Sequence, residues 1–338
     1  MRYFSLPVTL SVLFLVAILS FLFALSFGAA KLSLLDVLSS FTGTAFSNHE
    51  LTPFVDKIIW ELRVPRTLLA FMAGVGLAIS GVILQTVTRN PLADPYLFGI
   101  SSGASFGVVV LIAIIGTASG LAMSAAAFMG SLVAMTCLIL VAGAQRANQV
   151  ESMLLAGVAL SFLFSSFTSL LLYLSDPQAV TAILFWTLGS FAKASWDNLA
   201  FPSIIIALCI MVMLGYRRQL NAMLLGDESA TTLGINVNRF RLIMLILSSL
   251  ITATLVSLCG GIGFVGLMIP HIVRFFVSQG SKSGLIITAF VGGIFMMWID
   301  VLSRIILPNQ ELPVGVITAA IGSLFFLSLL SFGKKKSL

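Results

Sequence analysis

A polar break at residues 216–241, which reads YRRQLNAMLLGDESATTLGINVNRFR, interrupts an otherwise apolar sequence. Its charged side chains stand between two apolar runs of membrane length, so the break is predicted to lie in water. Within it the sequence predicts one short helix at residues 227–233, because Asp227 can cap a helix, Glu228 favours its first turn and Gly234 can end it. A helix of about seven residues is not stable alone in water, so neighbouring segments or a docking partner must hold it. The alternative interpretation is an ordered connecting loop.

The composition excludes a soluble globular protein. Of the 338 residues, 59% are hydrophobic and 9% are charged, and the mean hydropathy is +1.12, whereas soluble domains carry about 25% charged residues. The formal charge of +6 does not indicate a nucleic-acid partner, because the Lys and Arg residues lie at the ends of apolar runs. The cysteines lie singly inside apolar runs, which predicts packing residues and neither disulfides nor a zinc site; they are Cys137, Cys209 and Cys259.

Apolar runs of bilayer length predict an all-α polytopic membrane protein with about ten spans in a single transmembrane domain, residues 1–338. The first run, from Leu6 to Ala30, resembles a signal peptide, but at about 25 residues it exceeds the apolar region of such a peptide and is kept as a span. A shorter run lies near 265–278. The others lie near 64–88, 97–116, 121–144, 150–174, 198–215, 240–260, 284–307 and 313–332.

The distribution of positive charge predicts the orientation. An even number of spans places both termini on one side, and the positive-inside rule makes that side cytoplasmic. On this assignment the cytoplasmic side holds Arg2, Arg89, Arg146, Arg217, Arg218, Arg239, Arg241, Arg274, Lys282 and Lys334 to Lys336. The outer side holds Lys31, Lys57, Arg63, Arg66, Lys193 and Arg304.

Small residues recur every four positions in two of the predicted spans. In the second span they let another helix approach closely, which predicts tight packing. In the fifth span they form one narrow stripe that either packs against a helix or lines a translocation path, and the sequence leaves both interpretations open. The first set is Ala70, Gly74 and Ala78, and the stripe is Gly157, Ser161, Ser165 and Ser169.

Residues 260–266, GGIGFVG, are too rich in glycine for a helix interior, and Pro270 is expected to interrupt the run that follows. Broken backbone at membrane depth must be buried in protein or line water. His271 and Arg274 are the ionisable residues of this run, and a lone histidine does not make a metal site. We therefore predict structural polar contacts for both side chains.

Four further predictions concern short local features of the chain. Residues 34–40 are expected to form a surface helix, residues 89–95 a sharp turn, and the stretch between Asp176-Pro177 and Leu188-Gly189-Ser190 a short helix near the outer mouth. Asp300 and Arg304 have the spacing and order of an intrahelical ion pair.

Several stretches together resemble the FecCD family, the permease subunits of ABC importers, from about residue 60 to 332. Their order and spacing are jointly specific, and no departure occurs at the quoted positions. The stretches are Glu61 to Thr67, Gly81 to Pro95, Gly226 to Val237, Gly263 to His271 with Arg274, Asp300 with Arg304, and Glu311 to Gly315.

The resemblance implies a homodimer of ten-span subunits in a bacterial inner membrane, with the substrate path along the two-fold axis. It also implies two ATPase subunits on the cytoplasmic side and a periplasmic binding protein on the other. The cargo would be a metal chelate, such as an iron siderophore, haem or cobalamin, or an oxyanion such as molybdate. The chain itself would be no enzyme and bind no cofactor, since ATP and Mg would be used by the partner ATPase.

By the same resemblance, two groups of residues are similar to docking sites of the family. Arg63, Arg66 and Arg304 look like the arginines that meet acidic residues of the binding protein. The alternative makes Arg63 and Arg66 interfacial anchors and Arg304 the partner of Asp300. The segment 226–237 looks like the coupling helix that sits in a groove of the ATPase, with Gly226, Asp227, Glu228, Ala230, Leu233 and Gly234 as its residues.

Two other function classes compete with this interpretation. An ion-driven secondary transporter could carry protons on Asp300 or Glu151, although neither lies convincingly near the membrane centre. An intramembrane enzyme would need a nucleophile with a base or a metal cluster, and the histidines, His49 and His271, have no evident partners in the sequence. The sequence contains no phosphate-binding loop of the G-x-x-x-x-G-K-[ST] type, so ATP would have to be hydrolysed by another chain.

Overall fold

The computed structural model describes residues 6–28, 30, 32–43, 53–116, 119–144, 150–277 and 282–333. Within these ranges the secondary structure is helical and contains no strand. Much of the charge that predicts the orientation lies outside them, so the orientation stays a prediction. The residues concerned are Arg2, Lys31, Arg146 and Lys334 to Lys336; the candidate base His49 is also outside.

The described ranges contain a succession of α-helices, some of them joined end to end. A π-helical turn, Ile58–Arg63, joins α3 to α4, a 3-10 turn, Pro95–Phe98, precedes α5, and a π-helical turn, Leu111–Ile115, extends α5. The helices are α1 (Leu6–Ser26), α2 (Leu34–Thr42), α3 (Pro53–Lys57), α4 (Val64–Val87), α5 (Ile100–Val110), α6 (Gly120–Ala144), α7 (Val150–Leu174), α8 (Pro177–Thr187), α9 (Trp196–Gly215), α10 (Arg217–Leu224), α11 (Asp227–Thr232), α12 (Val237–Cys259), α13 (Val265–Arg274), α14 (Lys282–Ile305) and α15 (Val314–Gly333).

Eight helices of the described chain are long and apolar enough to cross a membrane, and two apolar helices are shorter. All ten apolar runs predicted from the sequence are thus helical, eight of them long enough to cross and two, in α5 and α13, shorter. The ten residues of α13 rise only about 15 Å, half of a bilayer core. The long candidates lie in α1, α3–α4, α6, α7, α9, α12, α14 and α15.

Helix α4 is the centre of the fold and packs against α14, α12, α13 and α9. Its small residues allow backbone to meet backbone. A Cβ on Gly74 would stand 2.0 Å from the carbonyl oxygen of Gly292 in α14, and a Cβ on Gly81 would stand 1.9 Å from that of Gly266 in α13. The tight packing predicted from the small residues is confirmed, because any larger side chain would force these helices apart.

The glycine-rich break is confirmed, since the chain is not helical from Gly260 until α13 begins at Val265. The expected interruption at Pro270 is wrong, because this proline lies inside α13. Proline has no N–H for the carbonyl four residues back, here that of Gly266. The side-chain amide of Gln85 in α4 donates to that oxygen at 3.0 Å and replaces the missing bond.

The other local predictions are largely confirmed. Helix α2 covers the predicted surface helix and begins with a capping box between Ser33 and Asp36, α8 occupies the predicted short-helix stretch, and the chain turns between α4 and α5. Cys209 and Cys259 are buried and Cys137 is half-buried, all as free thiols. By contrast, α7 leaves large apolar side chains such as Phe162 exposed, a face that suits lipid or a second subunit.

Candidate functional site

The start of α4 and the end of α14 bring together an arginine cluster, defined as Arg63, Arg66, Arg304, Asp300 and Glu311. Arg66 donates from Nε to Asp300 Oδ1 at 2.8 Å and from its two terminal nitrogens to both oxygens of Glu311 at 2.6 and 2.9 Å. Arg304 lies 2.9 Å from the other oxygen of Asp300. The predicted ion pair of Asp300 and Arg304 is confirmed, and Asp300 is completely buried between the two guanidinium groups.

The same cluster caps the C-terminal end of α1. Arg304 donates to the carbonyl oxygens of Phe27 at 2.9 Å and Ala24 at 3.2 Å, and Arg63 donates to those of Leu25 and Ala30. The last carbonyls of a helix have no donor within the helix, and α1 has no basic residue in its own last turn. Arginines from α4 and α14 thus satisfy this helix end.

The structure gathers the three predicted docking arginines at one place but does not leave their charge open. Arg63 and Arg66 are 6% and 8% exposed, and the side chain of Arg304 is 5% exposed. Burial at this level does not fit lipid-interface anchors, the alternative for Arg63 and Arg66. The most exposed member is Glu311, whose side chain is 44% exposed. Its bidentate pairing with Arg66 across 245 residues was not predicted from the sequence.

At the other end of α4, the predicted short helix is present as α11. Its N-cap is Gly226, with φ 109°, so the expectation that Asp227 caps the helix is wrong; Asp227 is the first helical residue. Gly234 ends the helix as predicted, with φ +82°. Its N–H donates to Thr231 and that of Ile235 to Ala230, at 2.9 and 3.1 Å, which is the Schellman pattern.

The carboxylate of Asp227 is not a cap because it pairs with Arg241 at the start of α12. Arg241 donates from Nη2 to the two oxygens of Asp227 at 3.1 and 2.9 Å, and from Nε to the carbonyl oxygen of Val87 at 2.8 Å. Val87 is the last residue of α4. We call Arg241, Asp227 and Val87 the Arg241 junction.

Helix α11 has one buried and one exposed face. Ala230 is fully buried, whereas Leu233 is 64% exposed. Glu228, Thr232 and Gly234 are exposed beside Leu233. The outward face therefore combines an acidic, a hydroxyl and an apolar side chain on a helix fixed from behind.

The serine stripe of α7 is not uniform along its length. A Cβ on Gly157 would stand 2.6 Å from the carbonyl oxygen of Leu97, so this end packs against the turn before α5. The hydroxyl of Ser161 donates to the backbone of Gly157 at 2.9 Å. Ser165 and Ser169 are exposed. One end of the stripe thus packs helices, while the other presents hydroxyl groups to whatever covers α7.

The ionisable residues of α13 have different surroundings. Arg274 donates to the side-chain oxygen of Gln85, in line with the predicted structural contact. The His271 ring packs edge-on against Phe275 and Phe325, with centroids 5.4 and 5.9 Å apart. Within the described residues, no group of three or more His, Cys, Asp or Glu side chains could hold a metal ion.

Asp94, in the turn between α4 and α5, is a buried carboxylate that the sequence analysis did not single out. One oxygen accepts the N–H of Tyr96 at 2.8 Å, and the other has no hydrogen-bond partner among the described residues. Burial raises the pKa of Asp94 to about 6, opposed by that hydrogen bond. The pair of prolines flanking it indicated a turn, but not that the turn packs inward.

A half-open cavity of about 360 Å³ lies beside α8 and touches the arginine cluster through Glu311. Its lining is mainly apolar, with Lys193, Ser190 and Glu311 as polar side chains. The lining includes Phe185, Trp186, Leu258, Cys259, Leu312 and Pro313.

Comparisons with known proteins agree with this architecture. The model of the FecCD transport family matches residues 15–332. The molybdate import system permease protein MolB of Haemophilus influenzae is 36% identical over 278 residues, covering 82% of this chain and 82% of that protein. The hemin transport system permease protein HmuU of Yersinia pestis is 37% identical over 278 residues, covering 80% and 83%.

A solved structure shows the same fold at comparable similarity. It is the inward-facing conformation of a transporter assigned to the metal-chelate ABC type, with a TM-score of 0.85 and 31% identity, and it covers 96% of this chain and 99% of its own. The relatives are transport subunits whose ATPase is a separate chain. This chain therefore belongs to the FecCD transport family and is the permease subunit of an ABC importer, not an enzyme.

Proposed function

We propose that this permease moves a metal chelate or an oxyanion into the cell by ATP-driven alternating access, with a separate ATPase docked on the exposed face of α11. The observation that carries the proposal is the geometry of α11. Its buried face is held by Ala230 and by the Arg241 junction, whereas Glu228, Thr232 and Leu233 point outward. A short helix fixed on one side and open on the other is suited to insertion into a partner's groove.

We propose a homodimer in which the exposed face of α7 meets a second copy. Phe162 and Tyr173 are 71% and 87% exposed, and Ser165 and Ser169 lie exposed on the same helix. Large apolar side chains interleaved with hydroxyl groups suit a subunit interface that also lines a path better than they suit lipid alone. We also propose that both termini lie on the cytoplasmic side of a bacterial inner membrane. The end of α4 that Arg241 joins to α11 lies on the same side.

We propose that the periplasmic binding protein docks over the arginine cluster. Three guanidinium groups and two carboxylates leave this end with an excess of positive charge, which favours acidic lobes. Glu311 is the half-exposed partner of Arg66, so an acidic residue of the binding protein could replace it on Arg66. Docking by Arg66 would then be an exchange of ion pairs, with Arg63 and Arg304 contributing charge from below the surface.

The cargo is proposed to be a metal chelate, namely an iron siderophore, haem or cobalamin, with molybdate as the oxyanion alternative. Relatives named for molybdate and for hemin are almost equally similar to this chain. The exposed serines carry no fixed charge, which fits weak contacts with either kind of cargo. Selectivity would then lie mainly in the binding protein.

The test is copurification and transport with the α11 face altered. Leu233→Arg should abolish association with the ATPase and ATP-dependent uptake, because it places a charge on the proposed contact. The matched control is Phe54→Arg, since Phe54 is 72% exposed and lies before α4, at its other end. ATPase association that survives Leu233→Arg would refute docking on α11.

The same preparation distinguishes ATP-driven transport from the ion-driven alternative. Wild-type protein in liposomes should accumulate cargo with ATP supplied and no ion gradient imposed. Accumulation that follows a proton or sodium gradient and ignores ATP would replace the proposal with secondary transport. Asp300 offers little to that mechanism, because both its oxygens face guanidinium groups.

A further inference from the structure

Three elements meet on one buried side chain at the inner end of α4. Arg241 is 3% exposed, and it contacts Val87 of α4 and Asp227 of α11 from its own place in the first turns of α12. The last carbonyls of α4 carry the negative end of its dipole, so a guanidinium is favoured there. The junction is thus a direct polar link between the proposed ATPase contact and the central helix.

Helix α11 also has packing contacts besides the Arg241 junction. The helix packs mainly on α10 and α12, through Ala230 on its buried face. The exposed Arg89 lies near its N-cap, with its guanidinium 3.9 Å from the place where a Cβ on Gly226 would stand. Arg89 comes two residues after the end of α4, but the hydrogen bonds that join α11 to that helix end are those of Arg241.

Arg241 holds its two partners with different nitrogens, Nη2 on Asp227 and Nε on the Val87 carbonyl. Because these nitrogens belong to one planar guanidinium, the two acceptors are held in a fixed relative direction, which a lysine ammonium group would not impose. Since the buried side chain of Arg241 is bonded to both elements at once, α11 and the end of α4 are expected to move together. Since α4 packs along α12, α13 and α14, a shift at this end reaches much of the bundle.

We propose that Arg241 is a positioning residue that transmits displacement of α11 to α4, through Asp227 on one side and the Val87 carbonyl on the other. The proposal rests on the proposed function, in which a docked ATPase moves α11. Arg241 touches neither cargo nor nucleotide. Its role is to keep hydrolysis and transport in a fixed ratio.

The test measures cargo accumulated per ATP hydrolysed in liposomes that hold the whole complex. The probes are a ferric siderophore, haemin, cyanocobalamin and molybdate, and the measurement uses the one that the wild type accumulates. Asp227→Asn keeps the shape of the side chain but removes the charge that orients Arg241. We expect the ATPase to stay bound and active while the transport ratio falls about 10-fold, the scale of a typical coupling between sites.

Arg241→Lys tests the link from its other side, because an ammonium group cannot reach Asp227 and Val87 with the same fork. It should lower the ratio as well, and the double variant should be no worse than the poorer single one. Asp197→Asn is the control, since Asp197 is an exposed acid in the first turn of α9 and should leave the ratio unchanged.

The outcomes separate this inference from the proposed function. An unchanged ratio in Asp227→Asn, with the complex intact, overturns the role of Arg241 and leaves ABC transport standing. Wild-type protein that binds no ATPase or ignores ATP overturns both. A fall in the ratio that is matched by an equal loss of bound ATPase would show that Asp227 only builds the docking surface, and would also overturn the positioning role.

Discussion

The arginine cluster and the Arg241 junction lie at opposite ends of α4 and use the same chemistry with different redundancy. In both, an arginine donates to carbonyls at the C-terminal end of another helix, those of Ala24 in α1 and of Phe27 just after it, and that of Val87 in α4. In the cluster, the central carboxylate is fully buried and faces two guanidinium groups.

The junction has one guanidinium, and its carboxylate is 39% exposed. The second terminal nitrogen of Arg241 is buried without a hydrogen-bond partner among the described residues. In the arginine cluster the groups share partners, so the network can keep its arrangement when one contact is lost. In the junction a single guanidinium makes the contact and can exchange one acceptor for another. The difference suggests a fixed anchor at one end of α4 and a transmitting contact at the other.

The largest expected effect concerns the anchor. Asp300→Ala should lower the free energy of unfolding by about 3–5 kcal/mol, because it leaves two buried guanidinium groups without their shared carboxylate. Unfolding in mixed detergent measures this. The control is Glu61→Ala, since the Lys57–Glu61 pair is exposed and should contribute at most about 0.5 kcal/mol. Equal effects of the two variants would show that the cluster is no anchor.

The next prediction concerns Asp94, a buried carboxylate that is not paired with a guanidinium group. Burial raises its pKa from 3.8 to about 6, so the folded state binds the proton more tightly than the unfolded state. The stability of the wild type relative to Asp94→Asn should therefore be highest below pH 4 and fall on the order of 2 kcal/mol as the pH rises through 6. Melting curves of both proteins from pH 4 to 7.5 measure it; parallel curves would contradict it.

The contacts of the Gln85 side chain in α4 should contribute less to stability than the ion pairs of the arginine cluster. Gln85→Met should cost about 1–2 kcal/mol, because the Gly266 carbonyl loses the donor that replaces the N–H missing at Pro270 and Arg274 loses its acceptor. Pro270→Ala supplies that N–H within α13, so the double variant should recover part of the loss. If Pro270→Ala gives the same change in both backgrounds, the side-chain replacement is not what stabilises α13.

The smallest expected effect falls on the transmitting contact. Asp227→Asn should change the free energy of unfolding by only about 1 kcal/mol, because the carboxylate is partly solvated and Arg241 keeps its bond to Val87. The same unfolding assay measures it beside Asp300→Ala. A loss as large as that of Asp300→Ala would make the junction a second anchor and remove the contrast between the two ends.

Sequence patterns predicted the elements of this fold well and their mutual contacts poorly. The helix after residue 226 was predicted from local capping chemistry, yet the identity of its cap was wrong. Asp227 has a partner, Arg241, that lies 14 positions away, and this interaction outweighs local capping. Similarly, Pro270 breaks a helix by local rules, but the donor that tolerates it comes from Gln85, 181 positions earlier.

The candidate functional residues likewise divide into predictable elements and contacts that were not predicted. Periodicity placed Gly157, Ser161, Ser165 and Ser169 on one stripe, but it could not show that only one end of the stripe meets the turn at Leu97. Resemblance to the family singled out Arg63, Arg66 and Arg304 together. It could not predict that they are buried, because their burial depends on where α1 ends. The exposed face of α11 was the more predictable site, because a short polar helix between two spans has few neighbours to alter it.

The capping of α1 has a consequence for how the chain is made. Helix α1 leaves the ribosome before α4 and α14, yet its final carbonyls accept hydrogen bonds from Arg63, 38 positions later than Leu25, and from Arg304, 280 positions later than Ala24. Until α14 has entered the membrane, the end of α1 lacks the donors of Arg304. The hydrogen bonds at this helix end can therefore form fully only after α14 has been synthesised and inserted.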